Sequence, residues 1–109
     1  MSIKLPRAIA LYVRAENSGD PTLLDRCFAA KAIVRDEGHT HRGLAAIREW
    51  KAETKRKYQH RVTPLELTER EGLTVVKARL DGDFPGSPIT LHFRFALEGD
   101  RIAALEIGA

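Results

Sequence analysis

Asp36 is the residue of this sequence whose type and position most clearly suggest acid–base chemistry. It follows the apolar pair Ile33-Val34 on a predicted strand, and Gly38 marks a turn directly after it. A carboxyl group that faces an apolar cavity has its neutral form favoured by the loss of solvation, which suits proton transfer. The same pattern also fits a carboxylate that turns out to solvent, and the sequence leaves both interpretations open.

Three other residue types could contribute chemistry, and each also has a structural explanation. Tyr12 lies on the apolar stripe of a predicted helix, where a hydroxyl commonly finds a backbone or carboxylate partner. Cys27 has no visible base partner and is more simply a packed thiol. His39 and His41 share one side of an extended segment and could ligate a metal with Asp36, but histidines on an exposed hairpin are more often solvated. We expect neither a metal nor a cofactor.

Length and composition predict one soluble domain over residues 1–109. The chain has 109 residues, enough for one sizeable core without a metal or disulfide. Its single cysteine favours a reducing compartment, and the N-terminal residues lack the apolar stretch of a signal peptide. No apolar run approaches the roughly 20 residues that cross a bilayer. We therefore expect a cytoplasmic protein with no membrane partner.

The charge pattern does not indicate a nucleic-acid partner. The sequence has 18 basic and 15 acidic side chains, a net charge of +3 that says little about function. A basic cluster could form a phosphate-facing patch. It is more simply a solvated helix end, because basic residues in a last turn complement the helix dipole and no nucleic-acid motif accompanies them. The cluster comprises Lys51, Lys55, Arg56, Lys57, His60 and Arg61.

Three helices are predicted in the first half of the chain. The first helix begins near Pro6. Asp20 can cap the second helix, and Pro21 suits its first position. The buried face of this second helix includes Phe28. An extended segment follows from Ala32. The third helix opens at Gly43 and directs Trp50 towards the core, with Lys51 and Lys55 on the solvent side.

The rest of the chain reads as four strands in an antiparallel meander. The third of them is the clearest, since Leu91, Phe93 and Phe95 share one face with polar residues between them. Pro64 interrupts the first and predicts a bulge or an edge that bends the sheet. The predicted strands are Tyr58 to Arg70, Leu73 to Asp81, Ser87 to Glu98 and Arg101 to Ile107. Helices first and a curved sheet afterwards predict an α+β fold with three helices on the concave face.

The order of these elements, with the segments YVRAENSGD, FAAKAIVRDEG, AAIREW and HFRF, resembles the nuclear transport factor 2-like superfamily. The SnoaL-like and ketosteroid isomerase-like branches are the most similar, and the resemblance spans about Leu5 to Ile107. It implies a cystatin-like cone with a cavity between the sheet and the helices. It also implies a homodimer, formed through the sheet face that carries His92 and Arg94.

The resemblance implies roles for several residues. In the isomerase branch, an aspartate on the first strand shuttles a proton beside a carbonyl and a helix-one tyrosine binds the oxygen as it becomes an enolate. Asp36 and Tyr12 stand at the matching positions and are our candidate catalytic residues. A small apolar or carbonyl-bearing ligand would then contact a set of mostly aromatic side chains, although these side chains could equally fill the core. The set is Phe28, Trp50, Phe84, Leu91 and Phe93.

One part of the isomerase pattern is missing. That branch has a protonated acid immediately before the HFRF-like run, and this chain has Leu91 there. Loss of one oxyanion donor costs about 3–4 kcal/mol of transition-state stabilisation. We therefore do not expect efficient steroid isomerisation. The return between Asp36 and helix three is also shorter than in that branch, which predicts a smaller pocket. The chemistry that fits such a pocket is isomerisation, dehydration or cyclisation without a cofactor. The alternative is a noncatalytic ligand-binding or homodimeric module with a filled cavity.

Overall fold

The computed structural model describes residues 3–109, which form three helices and one six-stranded sheet. The helices are α1 (Arg7–Ser18), α2 (Thr22–Cys27) and α3 (Gly43–Tyr58). The strands are β1 (Phe28–Asp36), β2 (His39–Arg42), β3 (Arg61–Arg70), β4 (Leu73–Asp81), β5 (Ile89–Glu98) and β6 (Arg101–Gly108). The predicted α+β class with three helices against a curved, mostly antiparallel sheet is confirmed.

The sheet has the order β2-β1-β6-β5-β4-β3. The predicted meander from β3 to β6 is confirmed, and β2 pairs back on β1 with Asp36 opposite His39. The parallel contact is between β1 and β6, where Val34 lies opposite Leu105. This contact places the strand that carries Asp36 in the interior of the sheet, beside the strands of the second half.

Irregularities in three of the strand pairs bend the sheet. The register shifts between Pro64 and Glu66, as the proline predicts, because its nitrogen cannot donate to the ladder. Further shifts occur in β1 after Phe28 and in β5 after Ala96. The concave side of the bent sheet holds the core, which includes Phe28, Val34, Val76, Phe93, Phe95 and Leu105.

Several predicted boundaries differ from the structure, and those of β1 and β3 differ most. Phe28 does not belong to α2 but begins β1, where it pairs with Ile102. The strand predicted from Tyr58 begins at Arg61, because α3 continues through Tyr58 and ends when Gln59 adopts a left-handed conformation. The Gln59 backbone N–H then donates to Lys55 O at 2.9 Å, which closes the last turn.

The start of α2 is one residue later than predicted, since the helix begins at Thr22 and Pro21 takes the N-cap position, but Asp20 still contacts its first residue. Asp20 Oδ1 accepts hydrogen bonds from the Thr22 backbone N–H at 3.0 Å and from its hydroxyl at 2.7 Å. The short α2 packs Leu23, Leu24 and Cys27 into the core. Burial raises the pKa of the Cys27 thiol to about 12, so the thiol is protonated and packed, as predicted.

Candidate functional site

A cavity of about 300 Å³ lies between α3 and the concave face of the sheet. Most of its wall is apolar or aromatic, and five acidic or basic residues interrupt that wall. The apolar part includes Trp50, Leu80, Phe84, Ile89, Leu91 and Phe93. The acidic and basic residues are Glu16, Asp36, Glu37, Lys51 and His60. A concave apolar space with a few convergent polar groups is the usual form of a small-molecule site.

Asp36 lies at the end of β1, half-buried at the cavity wall. Its Oδ2 accepts a hydrogen bond from the indole Nε1 of Trp50 at 3.0 Å. Loss of solvation raises the pKa of Asp36 above its usual value, and the nearby Glu37 carboxylate adds to the shift. The Trp50 hydrogen bond and the charge of Lys51 oppose the shift without cancelling it. The neutral acid is therefore more accessible at Asp36 than at an exposed aspartate.

Trp50 connects Asp36 to a buried cation. While the edge of its indole donates to Asp36, the Lys51 Nζ atom lies over its face, 3.9 Å from the ring centroid. The His41 ring stacks on Trp50 with a centroid distance of 5.7 Å. These contacts fix the indole plane, so the carboxyl group and the ammonium group are held by the same side chain.

Glu16 is the centre of a buried polar network beside the cavity. The side chain is 2% exposed. Its carboxylate accepts hydrogen bonds from the Tyr12 hydroxyl, the Lys51 ammonium group and the His60 imidazole. Lys51 Nζ lies 2.7 Å from Oε2, and His60 Nε2 lies 2.5 Å from Oε1. Three donors thus surround one carboxylate, which offsets the cost of burying its charge.

The two carboxyl groups of Glu16 and Asp36 have opposite pKa shifts. Burial alone would raise the pKa of Glu16, but the charge of Lys51 and the hydrogen bond from His60 outweigh it and lower the pKa to about 2. Glu16 is therefore a fixed anion. Asp36 has the raised pKa and is the cavity carboxyl group better suited to exchange a proton.

The loop between β4 and β5 forms one rim of the cavity. A side chain at Gly82 would bring a Cβ to 2.7 Å from the Tyr58 carbonyl oxygen, so only glycine allows this close approach. Phe84 then packs edge-on against the Tyr58 ring at 5.9 Å between centroids. The Tyr58 hydroxyl donates to Glu37 Oε1 at 2.9 Å. Three segments of the chain therefore meet at this rim.

The structure brings five of the seven sequence-predicted site residues to the cavity and places two in the core. The five are Asp36, Trp50, Phe84, Leu91 and Phe93. Tyr12 is fully buried against Phe28, Phe93 and Phe95, and its hydroxyl donates to Glu16. Burial raises the pKa of Tyr12 well above its usual value, with the Glu16 charge as the next cause. Contact of Tyr12 with a ligand remains a prediction.

The sequence patterns do not indicate the buried network of Glu16, Lys51 and His60. The interpretation of the basic cluster as a solvated face is wrong for Lys51 and His60, which are 5% and 4% exposed. A signal was present: Lys51 follows the buried Ile47 by four residues, and Glu16 follows Tyr12 by four, which places each on a buried helix stripe. Lysine and glutamate are seldom buried unless paired, and the pairing was not visible.

Among residues 3–109, no group of three or more His, Cys, Asp or Glu side chains is arranged to hold a metal ion. His39 is exposed on β2, and His41 stacks on Trp50. Within the same range no helix has both the length and the apolar character needed to cross a membrane.

Comparison with known proteins gives one family match and many structural matches. The family model described as the SnoaL-like domain matches residues 9–105. A proposed polyketide cyclase from Sinorhizobium meliloti is 39% identical, with a TM-score of 0.90 over 94% of each chain. None of the curated proteins compared with the chain is significantly similar to it.

More distant structures share the fold. A protein of ketosteroid isomerase-like fold from Catenulispora acidiphila, in complex with trimethylamine, is 21% identical with a TM-score of 0.83 over 97% of this chain and 87% of that one. TerC, co-crystallised with polyporic acid, is 18% identical with a TM-score of 0.75 over 93% of this chain and 87% of its own. A cystatin-fold protein from Novosphingobium aromaticivorans is 14% identical, with a TM-score of 0.78 over 99% and 100%.

Proposed function

Because the chain belongs to the SnoaL-like domain family, we propose that its cavity binds a small apolar or carbonyl-bearing ligand and that Asp36 transfers a proton beside the carbonyl. The observation that carries this proposal is the geometry of one mostly apolar cavity of about 300 Å³, where Asp36 lies half-buried at the wall while Glu16 is engaged by three donors. The opposite directions of their pKa shifts agree with a division between fixed charge and acid–base work. Glu16 has the first role and Asp36 the second.

The proposed step is a proton transfer without a cofactor. The ionised Asp36 carboxylate takes a proton from the carbon next to the carbonyl, and the C–H electron pair forms an enolate. Asp36 then returns the proton to the same or another carbon atom, so that no atom or electron is gained or lost. A raised pKa makes the carboxylate a stronger base, and a positioned general base contributes typically about 10²–10⁴-fold in rate.

The chemistry that fits is isomerisation, dehydration or cyclisation, since each begins with proton movement beside a carbonyl. The sequence similarity to a proposed polyketide cyclase supports cyclisation within this group. The alternative of a noncatalytic module with a filled cavity is less well supported, because about 300 Å³ of space is open beside Asp36. A homodimer and a cytoplasmic location remain proposals, and sedimentation equilibrium would test the first.

The experiment is exchange of α-protons for deuterium in a small bicyclic ketone such as 2-tetralone, followed by NMR in D₂O. The wild-type protein should accelerate the exchange over buffer, and Asp36→Asn should remove most of the acceleration while retaining ketone binding in a thermal-shift assay. Asp100→Asn, an exposed turn residue, is the matched control. Equal exchange with wild type and Asp36→Asn would exclude Asp36 as the base.

A further inference from the structure

We infer that Lys51 is a second catalytic residue, whose ammonium group donates a hydrogen bond to the ligand oxygen as that oxygen becomes negative. This inference rests on the proposed function, because it assigns the group that opposes Asp36 in the same proton transfer. It also fills the role of an oxyanion donor at a site where Leu91 occupies the position expected for an acid.

The first argument is the position of the ammonium group. Lys51 lines the cavity although its side chain is only 7% exposed, so the charge is located in a largely apolar space rather than in solvent. Electrostatic stabilisation of a developing anion is strongest where water is excluded and the donor is already in place. Tyr12, in contrast, is not among the cavity-lining residues, and its hydroxyl is engaged by Glu16.

The second argument is the donor capacity of the amine. A lysine ammonium has three N–H donors. Among residues 3–109, the oxygen within ion-pair distance of Nζ belongs to Glu16, at 2.7 Å, and the other near neighbours are the ring faces of Trp50 and Tyr12. A cation over a ring face is attracted electrostatically and needs no directed N–H bond, so Glu16 is the one hydrogen-bond acceptor in this set. The ammonium group therefore keeps donor capacity for an oxygen atom in the cavity.

The third argument is preorganisation. Glu16 holds Nζ from one side and the Trp50 face holds it from another, while the edge of the same indole donates to Asp36. The base and the cation are thus positioned by one rigid side chain. A carbonyl compound with its oxygen at Lys51 and its adjacent carbon at Asp36 would be bound in the orientation that enolisation requires. Glu16 acts through Lys51 and is a positioning residue.

The test uses 4-nitrophenol, whose phenolate absorbs at a longer wavelength than the neutral phenol and resembles an enolate in charge. The wild-type protein should bind the phenolate in preference to the phenol. At the same pH, the fraction of ligand present as phenolate should therefore be higher in the bound ligand than in the free ligand. In Lys51→Met the bound ratio of phenolate to phenol should fall by about tenfold to a hundredfold, the range expected for a hydrogen bond to a charged group.

Three controls keep the outcomes separate. Lys77→Met removes the same charge from an exposed β4 position and should leave the ratio unchanged, whereas Lys51→Arg should retain most of the preference. If Lys51→Met does not fold because Glu16 is left unpaired, the double variant Glu16→Gln/Lys51→Met removes both charges and should also lose the preference. Circular dichroism establishes that each variant is folded.

Failure of this inference is distinguishable from failure of the proposed function. Asp36→Asn should retain the phenolate preference, because Lys51 is intact, while it loses α-proton exchange. A wild-type protein that binds phenol and phenolate equally, or Lys51→Met with an unchanged ratio, would overturn the role of Lys51 and leave Asp36 unaffected. A wild-type protein that binds neither species would overturn both proposals.

Discussion

The indole Nε1 of Trp50 donates a hydrogen bond to Asp36 Oδ2 at 3.0 Å, and this contact joins α3 to the end of β1. The donor favours the charged form of Asp36 and therefore limits the rise in pKa that burial causes. The ionisation of Asp36 is thus adjusted by a residue of the neighbouring helix.

Trp50→Phe should raise the pKa of Asp36 further, because the ring remains but the N–H donor is lost. The pH at which half of Asp36 is ionised should shift upward, and the pH–rate profile of α-proton exchange should shift with it. NMR titration of the Asp36 carboxyl carbon measures the first quantity directly. A pKa that is unchanged or lower in Trp50→Phe would contradict this account of the hydrogen bond.

Asp36→Asn should increase the free energy of unfolding at neutral pH. The folded-state pKa of Asp36 is raised above its unfolded value of about 3.8, so the wild-type protein loses stability as pH rises through the raised pKa. The variant has no carboxyl group to ionise, and its amide oxygen can still accept from Trp50. Urea denaturation of the two proteins should give curves that differ at pH 7 and converge below about pH 3.8.

Glu16→Gln should destabilise the protein by about 3–5 kcal/mol at pH 7, the usual cost of leaving a buried charge unpaired. The unpaired charge is that of Lys51, whose ammonium group Glu16 holds in the wild-type protein. The sign of the pH dependence is opposite to that of Asp36. Because the folded-state pKa of Glu16 is lowered, its ionised carboxylate stabilises the folded protein. This contribution is fully present above pH 4.5 and is lost as the pH falls towards about 2. Thermal unfolding across this range should show a smaller acid-induced loss in Glu16→Gln.

Phe28→Ala and Phe84→Ala should separate packing from ligand contact. Phe28 is 1% exposed and packs on Tyr12, so its truncation should cost about 3–5 kcal/mol of stability. Phe84 is half-buried at the cavity rim and should cost less in stability. Its truncation should instead weaken 2-tetralone binding by about tenfold, as expected for loss of apolar burial. A Phe84→Ala variant with unchanged affinity would exclude this rim from the binding site.

Local patterns predicted most of the architecture. The helix stripe of α3 placed Trp50 correctly, the turn at Gly38 marked the β1–β2 hairpin, and Pro64 predicted the bulge in β3. These features depend on neighbours in sequence, which is why sequence alone could reveal them.

Long-range pairing limited the prediction of the site. Lys51 and Glu16 are buried because they meet each other, and their partnership joins two helices that are far apart in sequence. His60 reaches the same carboxylate because Gln59 ends α3 in a left-handed conformation. The parallel pairing of β1 with β6 likewise depends on the complete sheet, so the residues of each strand alone do not indicate it.

The pairing of β1 with β6 has a consequence for biosynthesis. As the chain leaves the ribosome, β1 emerges early and its inner edge stays unpaired until Arg101–Gly108 has been translated. Domains generally form as units, and distant strand contacts are made late because closing a long loop is costly in entropy. The cavity should therefore take its final shape only after β6 has paired with β1.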